Sequence, residues 1–199
     1  MNSSEWLDRV AIGDVIMRER WARETRNPDV AAACFHPEST VEVSWFKGTG
    51  AEFVDTARGR PPSDTVNFDS MSPPVIWVNK DRAIADTSCV VHTFLRLDGI
   101  EVSTVSYTRL LWRVQRHNGL WLIAGLRGIY IRDTLSPSSP NQELKLDEKK
   151  LSTFRPSYRH LSYVLLASGR PMLDDLPGID RPETVVALRS AENHWLERA

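Results

Sequence analysis

Hydrophobic and polar positions change rhythm twice along the chain. From Ser4 to Arg26 the apolar residues Leu7, Val10, Ile12, Val15, Ile16 and Trp21 recur at helical spacing on more than one face. That pattern predicts a helix over about residues 5–26, capped by Ser3 or Ser4, with Glu5 in its first turn. A helix with two apolar stripes is expected to be largely covered. Asn27-Pro28-Asp29 interrupts it, a short helix follows over 30–35, and His36-Pro37-Glu38-Ser39 ends that. Residues 40–46 alternate and are rich in β-branched side chains, which predicts a strand. Gly48-Thr49-Gly50 turns into a third helix over about 51–57, and residues 58–64, with two prolines, read as a loop.

From Thr65 onward the rhythm becomes a period of two. It predicts strands at 65–71, 75–78, 82–97, 100–115 and 120–132, punctuated by Asn79-Lys80-Asp81, Asp98-Gly99 and Asn118-Gly119. The last two are strong tight-hairpin signals. Helices followed by a meander of long antiparallel strands predict an α+β fold. Residues 133–142 carry three Ser and two Pro and read as a linker. Beyond it lie amphipathic helices at about 143–152, 157–168 and 182–198, the last started by Pro182. The expected organisation is a domain over 1–135, then a linker and helical extension over 136–199. That extension is expected to pack on the first unit or on a neighbouring subunit.

Two-residue turns fix which side chains share a face. Counting from Asp98-Gly99 sets Leu95 opposite Val102, His92 opposite Val105, Val90 opposite Tyr107 and Ser88 opposite Arg109. Counting from Asn118-Gly119 sets Tyr107 opposite Tyr130, Arg109 opposite Gly128 and Leu111 opposite Leu126. Directly opposed residues project to the same side, so one face should carry Ser88, His92, Tyr107, Arg109, Leu126, Gly128 and Tyr130. Such a mixture is odd for a packed core, which avoids unpaired Arg, and odd for a solvated face. A cavity with a few convergent polar groups accounts for it.

Composition narrows the partners. In 199 residues the net charge is -1, with both signs interspersed, which gives no electrostatic case for nucleic acid or an anionic membrane. No apolar run approaches the roughly 20 residues of a membrane span. The start lacks a cationic segment followed by an apolar one, so no signal peptide is expected. Cys34 and Cys89 sit in apolar stretches and read as free buried thiols, which fits a cytoplasmic location. Five scattered histidines and no Cys-x-x-Cys give no metal-site spacing. With no glycine-rich phosphate loop either, no cofactor is expected.

The run Asp8-Arg9, Ile12, Asp14-Val15-Ile16, Arg18, then Cys34-Phe35 and Pro37-Glu38, together with Gly119-Leu120-Trp121-Leu122-Ile123-Ala124-Gly125 and Asp133-Thr134-Leu135, resembles the SnoaL-like branch of the nuclear-transport-factor-2-like superfamily. Scytalone dehydratase and ketosteroid isomerase belong to the same superfamily. The resemblance covers about residues 5–135 and implies a cone-shaped α+β barrel, a curved sheet around N-terminal helices with a deep pocket. It sets Glu24 at the place of the dehydratase's helix aspartate, and Tyr107 and Arg109 at its strand Ser and Asn. Leu126, Gly128 and Tyr130 take the inward positions of the closing strand. One pocket histidine falls at His92 or Thr93, and the other falls near Asp69 or Ser70 and is absent. Glu19 and Trp45 take the places of a helix and a strand tyrosine.

The candidate catalytic residues are therefore His92, Arg109, Tyr107, Glu24 and Asp69, with Trp45, Glu19, Leu126, Tyr130 and Ser88 lining the site. His92 or Tyr107 would act as acid, a carboxylate or His92 as base, and Arg109 would hold negative charge. Each has a plainer reading: a satisfied core histidine, a structural ion pair for Arg109 with Asp86, Asp69 or Glu19, a solvated Glu24. The expected activity is a cofactor-independent lyase or dehydratase on a small hydroxylated aromatic molecule, lignin-derived compounds included, through a quinone-methide-type intermediate with C–O or C–C cleavage. The alternatives are a ketosteroid-isomerase-like or polyketide-cyclase-like isomerase, and a non-catalytic binding or assembly module. A homo-oligomer, dimer or trimer, is expected.

Overall fold

The computed structural model describes residues 3–58 and 64–198. The helices at its start are α1 (Ser3–Glu24) and α2 (Pro28–Ala33), followed by β1 (Phe35–Val43), β2 (Phe46–Thr49) and α3 (Gly50–Asp55). Next come β3 (Val66–Met71), β4 (Val75–Asn79) and the long strands β5 (Arg82–Leu97), β6 (Ile100–His117) and β7 (Leu120–Pro137). Three helices end it: α4 (Glu148–Ser152), α5 (Arg159–Ala167) and α6 (Pro182–Glu197). The Ser3 side chain expected to cap α1, and most of the loop expected over 58–64, lie outside the described residues.

Local chemistry explains several boundaries. Thr49 and Glu52 form a reciprocal capping box that starts α3, and Asn27 with Pro28 starts α2. Asp98, Gly99, Asn118 and Gly119 all have positive φ, 50°, 81°, 50° and 81°. This is the left-handed pair that a two-residue hairpin turn with matching strand twist requires. β1 begins earlier than expected, at Phe35, and runs through Pro37, where its pairing with β7 slips. The residues read as a turn at Gly48-Thr49 instead close a β1–β2 hairpin, with Ser44 and Trp45 at its apex. β7 likewise continues to Pro137 and α4 starts only at Glu148, so the connecting segment spans residues 138–147 rather than the 133–142 expected.

Seven strands form one sheet in the order β2-β1-β7-β6-β5-β3, with β4 also on β5 and β1 parallel to β7. The β5–β6 register is the one counted from Asp98-Gly99: Leu95 opposite Val102, His92 opposite Val105, Ser88 opposite Arg109. The β6–β7 register is not the one expected. Two bulges in β7 shift it, so Tyr107 lies opposite Arg132, Thr108 opposite Tyr130, Arg109 opposite Ile129 and Trp112 opposite Leu126. An extra residue in one strand moves all that follows to the other face. The single mixed face is thus corrected: Leu126 and Tyr130 stand on one side of the sheet, Arg109 and Tyr107 on the other.

The inner side packs on α1. Ile12, Val15 and Ile16 meet Ala83, Ala85 and Cys89 of β5, Leu110 and Trp112 of β6, and Ile123 and Leu126 of β7. The far end of the same face, Leu95, Leu97 and Val102, is covered by Leu151, Tyr163 and Val164 of α4 and α5. Asp133 holds α5 there: its carboxylate accepts from His160 Nδ1 at 2.9 Å and from the Leu161 amide at 2.7 Å. The chain before α6 runs beside β7, the Tyr130 amide donating to Pro177 and the Ile179 amide to Tyr130. α6 then crosses the outer side, Leu188 against Leu111 and Ile129. Contrary to the expectation for α1, Trp6, Leu7, Val10, Met17 and Trp21 remain exposed. Among the described residues no helix is long and apolar enough to cross a membrane.

Candidate active site

The inward stripe of α1 continues past Ile12 and Ile16 to Glu19, Ala22 and Arg23, so helical spacing carries a carboxylate and a guanidinium into the core. Glu19 is fully buried. Its Oε2 accepts from Arg20 Nε at 2.6 Å, and its Oε1 lies 3.8 Å from Arg23 Nε. Arg20 reaches across to β3 and donates from Nη1 to Asp69 Oδ2 at 3.2 Å. Its guanidinium stands 5.2 Å from the Trp112 ring centroid. Glu24, though exposed, accepts the Asp69 amide at 2.9 Å and so pins β3 to the end of α1. The Arg23 guanidinium lies 3.7 Å over Phe53, which stacks on Trp45. The Arg170 guanidinium lies 4.5 Å from the Trp45 ring centroid.

Burial opposes the charge on Arg20, yet Glu19 and then Asp69 outweigh it and hold the group well above the usual arginine range. Taking ions out of water costs several kcal/mol each, and only close partners offset it. Here the compensation is incomplete. Glu19 Oε1 and Arg20 Nη2 are buried and make no hydrogen bond. A buried acceptor and a buried donor left without hydrogen bonds each cost about 1–3 kcal/mol. The surrounding thiols are inert: burial pushes Cys34 up to about 11 and, with help from the charge of Asp69, Cys89 up to about 12. Tyr130, also inward, accepts the Ser44 amide at 2.7 Å, and burial pushes its phenol up to about 12.

The candidates divide by face. Glu19, Glu24, Asp69, Trp45, Leu126 and Tyr130 lie on the side of the sheet that holds α1, and three of them, Glu19, Glu24 and Asp69, meet at Arg20 and β3. His92, Tyr107, Arg109 and Ser88 lie on the outer side. There Arg109 Nε donates to Asp86 at 2.8 Å and its Nη1 to Ser88 at 3.1 Å, while Arg189 of α6 takes the second Asp86 oxygen at 2.9 Å. His92 stands against Phe68, ring centroids 6.1 Å apart. The expectation that one cavity gathers His92, Tyr107 and Arg109 with Leu126 and Tyr130 is therefore corrected, because the β7 bulges separate them. Arg20, Arg23, Phe53 and Trp112 were not among the candidates. The spacing of Arg23 from Ile12, Ile16 and Glu19 was the signal for it; Arg20 and Trp112 needed the tertiary structure. A recess of about 500 Å³ opens at the β5–β6 hairpin tip, lined by Asp64, Val66, Phe94, Leu95, Arg96 and Glu101, away from this cluster.

A curved sheet wrapped on an N-terminal helix, with ionisable groups on its enclosed side, defines the class of cone-shaped α+β proteins. The chain belongs to the SnoaL-like domain family, matching it over residues 4–127. It is 27% identical over 169 residues to pea pathogenicity protein 2 of Fusarium vanettenii, covering 82% of this chain and 72% of that protein. Among solved structures, a Novosphingobium aromaticivorans protein with the provisional name scytalone dehydratase superposes with a TM-score of 0.52 at 17% identity, over 73% of this chain and all (100%) of that one. The hexachlorocyclohexane dehydrochlorinase LinA-type3 of Novosphingobium barchaimii superposes with a TM-score of 0.54 at 15% identity, over 71% and 97%. At these identities the structural likenesses establish the shared fold.

Proposed function

We propose that the protein is a cofactor-independent lyase of the dehydratase type, acting on a small, largely apolar, hydroxylated molecule that carries an aromatic ring. The observation that carries this is the buried Glu19–Arg20–Asp69 group with one acceptor and one donor unused. A substrate hydroxyl or carbonyl oxygen would satisfy Arg20 Nη2, and the aromatic surround of Trp112, Phe53 and Trp45 suits an aromatic body by edge contacts. Asp69, held by Arg20 through one oxygen, would take a proton from the carbon next to the leaving group with the other. The C–H electrons form the double bond, the C–O bond breaks, and the proton passes from Asp69 to the departing hydroxyl to give water. Arg20 would steady the developing charge, and Glu19 would hold Arg20 in place. The names of the dehydratase and dehydrochlorinase relatives describe eliminations of this kind. His92, Tyr107 and Arg109 carry no step in this reading, because they stand on the other face.

Isomerisation is the second reading. One carboxylate beside one donor, Asp69 on Arg20, is also the arrangement for moving a proton from carbon to carbon. The two are told apart with 1-(4-hydroxyphenyl)ethanol, whose dehydration gives 4-hydroxystyrene, and a β,γ-unsaturated cyclohexenone, whose isomerisation gives the conjugated ketone. Asp69→Asn should lower turnover of the active probe by about 10²–10⁴-fold per folded molecule. Equal turnover by wild type and Asp69→Asn would retire both readings.

A further inference from the structure

α1 is apolar on the side the protein does not use. Trp6, Leu7, Val10, Met17 and Trp21 are 59, 66, 53, 47 and 51% exposed. At about 100° per residue, Trp6, Val10, Met17 and Trp21 fall within a stripe about 60° wide, directly opposite the stripe that enters the core. The order of the stripe is palindromic. Trp6 and Trp21 are equally far from the midpoint between Gly13 and Asp14, and so are Val10 and Met17. A helix with such a stripe is complementary to a second copy of itself run antiparallel, because a two-fold interface pairs residue i with j and j with i.

We propose that α1 is a homodimer interface, a second copy laying its own α1 antiparallel across this one with the two-fold axis at Gly13–Asp14. Each Trp6 then covers the other copy's Trp21, and each Val10 covers a Met17. The exposed parts of the five side chains amount to roughly 600 Å² of apolar surface per copy, against about 800 Å² per partner in a stable interface. That leaves only a polar rim to be supplied. Single exposed apolar residues are ordinary, but a patch of this size with this order is not. The rim is electrically balanced: Asp14 and Arg18 form an ion pair along the flank. The symmetry sets that pair beside its own copy, so the flank reads Arg, Asp, Asp, Arg with no net charge. This inference is independent of the proposed reaction, since no residue of the Glu19–Arg20–Asp69 group lies in the stripe.

Sedimentation velocity of the whole chain from about 0.5 to 50 μM tests it with Val10→Glu/Met17→Glu and, as the rival surface, Phe68→Glu on the exposed outer face of β3. Dimeric wild type, a dissociation constant raised more than about 100-fold in the double variant, and little change in Phe68→Glu are expected. Asp14→Cys is the decisive variant. At an interaxial distance of about 8–10 Å, residues beside the axis approach within disulfide reach. Mild oxidation should therefore link Asp14→Cys to its own copy, while buried Cys34 and Cys89 stay unreactive. A monomeric wild type throughout, an oligomer that keeps its size in Val10→Glu/Met17→Glu, or an Asp14→Cys that stays unlinked within an intact oligomer would overturn the proposal. Each of those results would leave α1 facing a different protein or a surface of other chemistry.

Discussion

The sheet carries an arginine–carboxylate cluster on each face, and the two are built to different standards. On the outer face Asp86 is 3% exposed, and its two oxygens are taken by Arg109 and Arg189. Arg109 spends a further donor on Ser88. The cluster is closed, and it ties α6 to the sheet. A second outer tie works the same way, Arg113 donating to buried Glu192 of α6 at 2.6 Å. On the inner face Glu19 is more deeply buried still, yet Glu19 Oε1 and Arg20 Nη2 are left without hydrogen bonds. Satisfied ions explain architecture; half-satisfied buried ones ask for a ligand.

Four measurements break or sharpen that contrast. Arg20→Met should have the largest effect, because it removes the counter-charge of Asp69 and leaves buried Glu19 only Arg23 at 3.8 Å: a loss of about 3–5 kcal/mol by urea denaturation, with turnover gone. A stability within about 1 kcal/mol of wild type would show that the inner cluster is wet and the contrast false.

Alkaline unfolding probes the dryness of the inner side at its β7 end. Burial raises the Tyr130 phenol to about 12 in the folded protein. Its contribution is whole below the unfolded value of about 10 and is lost as pH rises through the folded one, about 3 kcal/mol in all. Denaturation at pH 9 and 11.5 should show this loss in wild type and a shallower one in Tyr130→Phe; parallel slopes would count against a dry inner face.

Asp86→Asn should cost about 1–2 kcal/mol, seen as a lower Tm, with activity per folded molecule unchanged. Lost activity at full stability would reverse the roles of the two clusters. His92→Ala, on a half-buried outer position, should shift stability by about 0.5 kcal/mol or less and leave turnover intact. A fall of more than about tenfold in turnover would return the chemistry to the outer face.

Much of this architecture was legible in the residues. Asp98-Gly99 and Asn118-Gly119 placed both hairpins, because few residues other than Gly, Asn and Asp accept positive φ. The β5–β6 register followed by counting. Glu19 and Glu24 of α1 and Asp69 of β3, all drawn as candidates from the sequence, meet in the fold. α1 shows the limit of periodicity, which reveals an apolar stripe but not what covers it.

Local chemistry thus determined the elements, their turns and the family, since caps, left-handed pairs and apolar spacing act over a few residues. Only the assembled, curved sheet decided which chemistry faces inward. Bulges in β7 answer to strand curvature and to the helices packed on either side, forces that span the whole molecule. Alternation with a period of two turns each extra residue into an exchange of faces. That is why Arg109 became a strut under α6, while Arg20, unmarked by any motif, came to lie between two carboxylates at the centre of the candidate site.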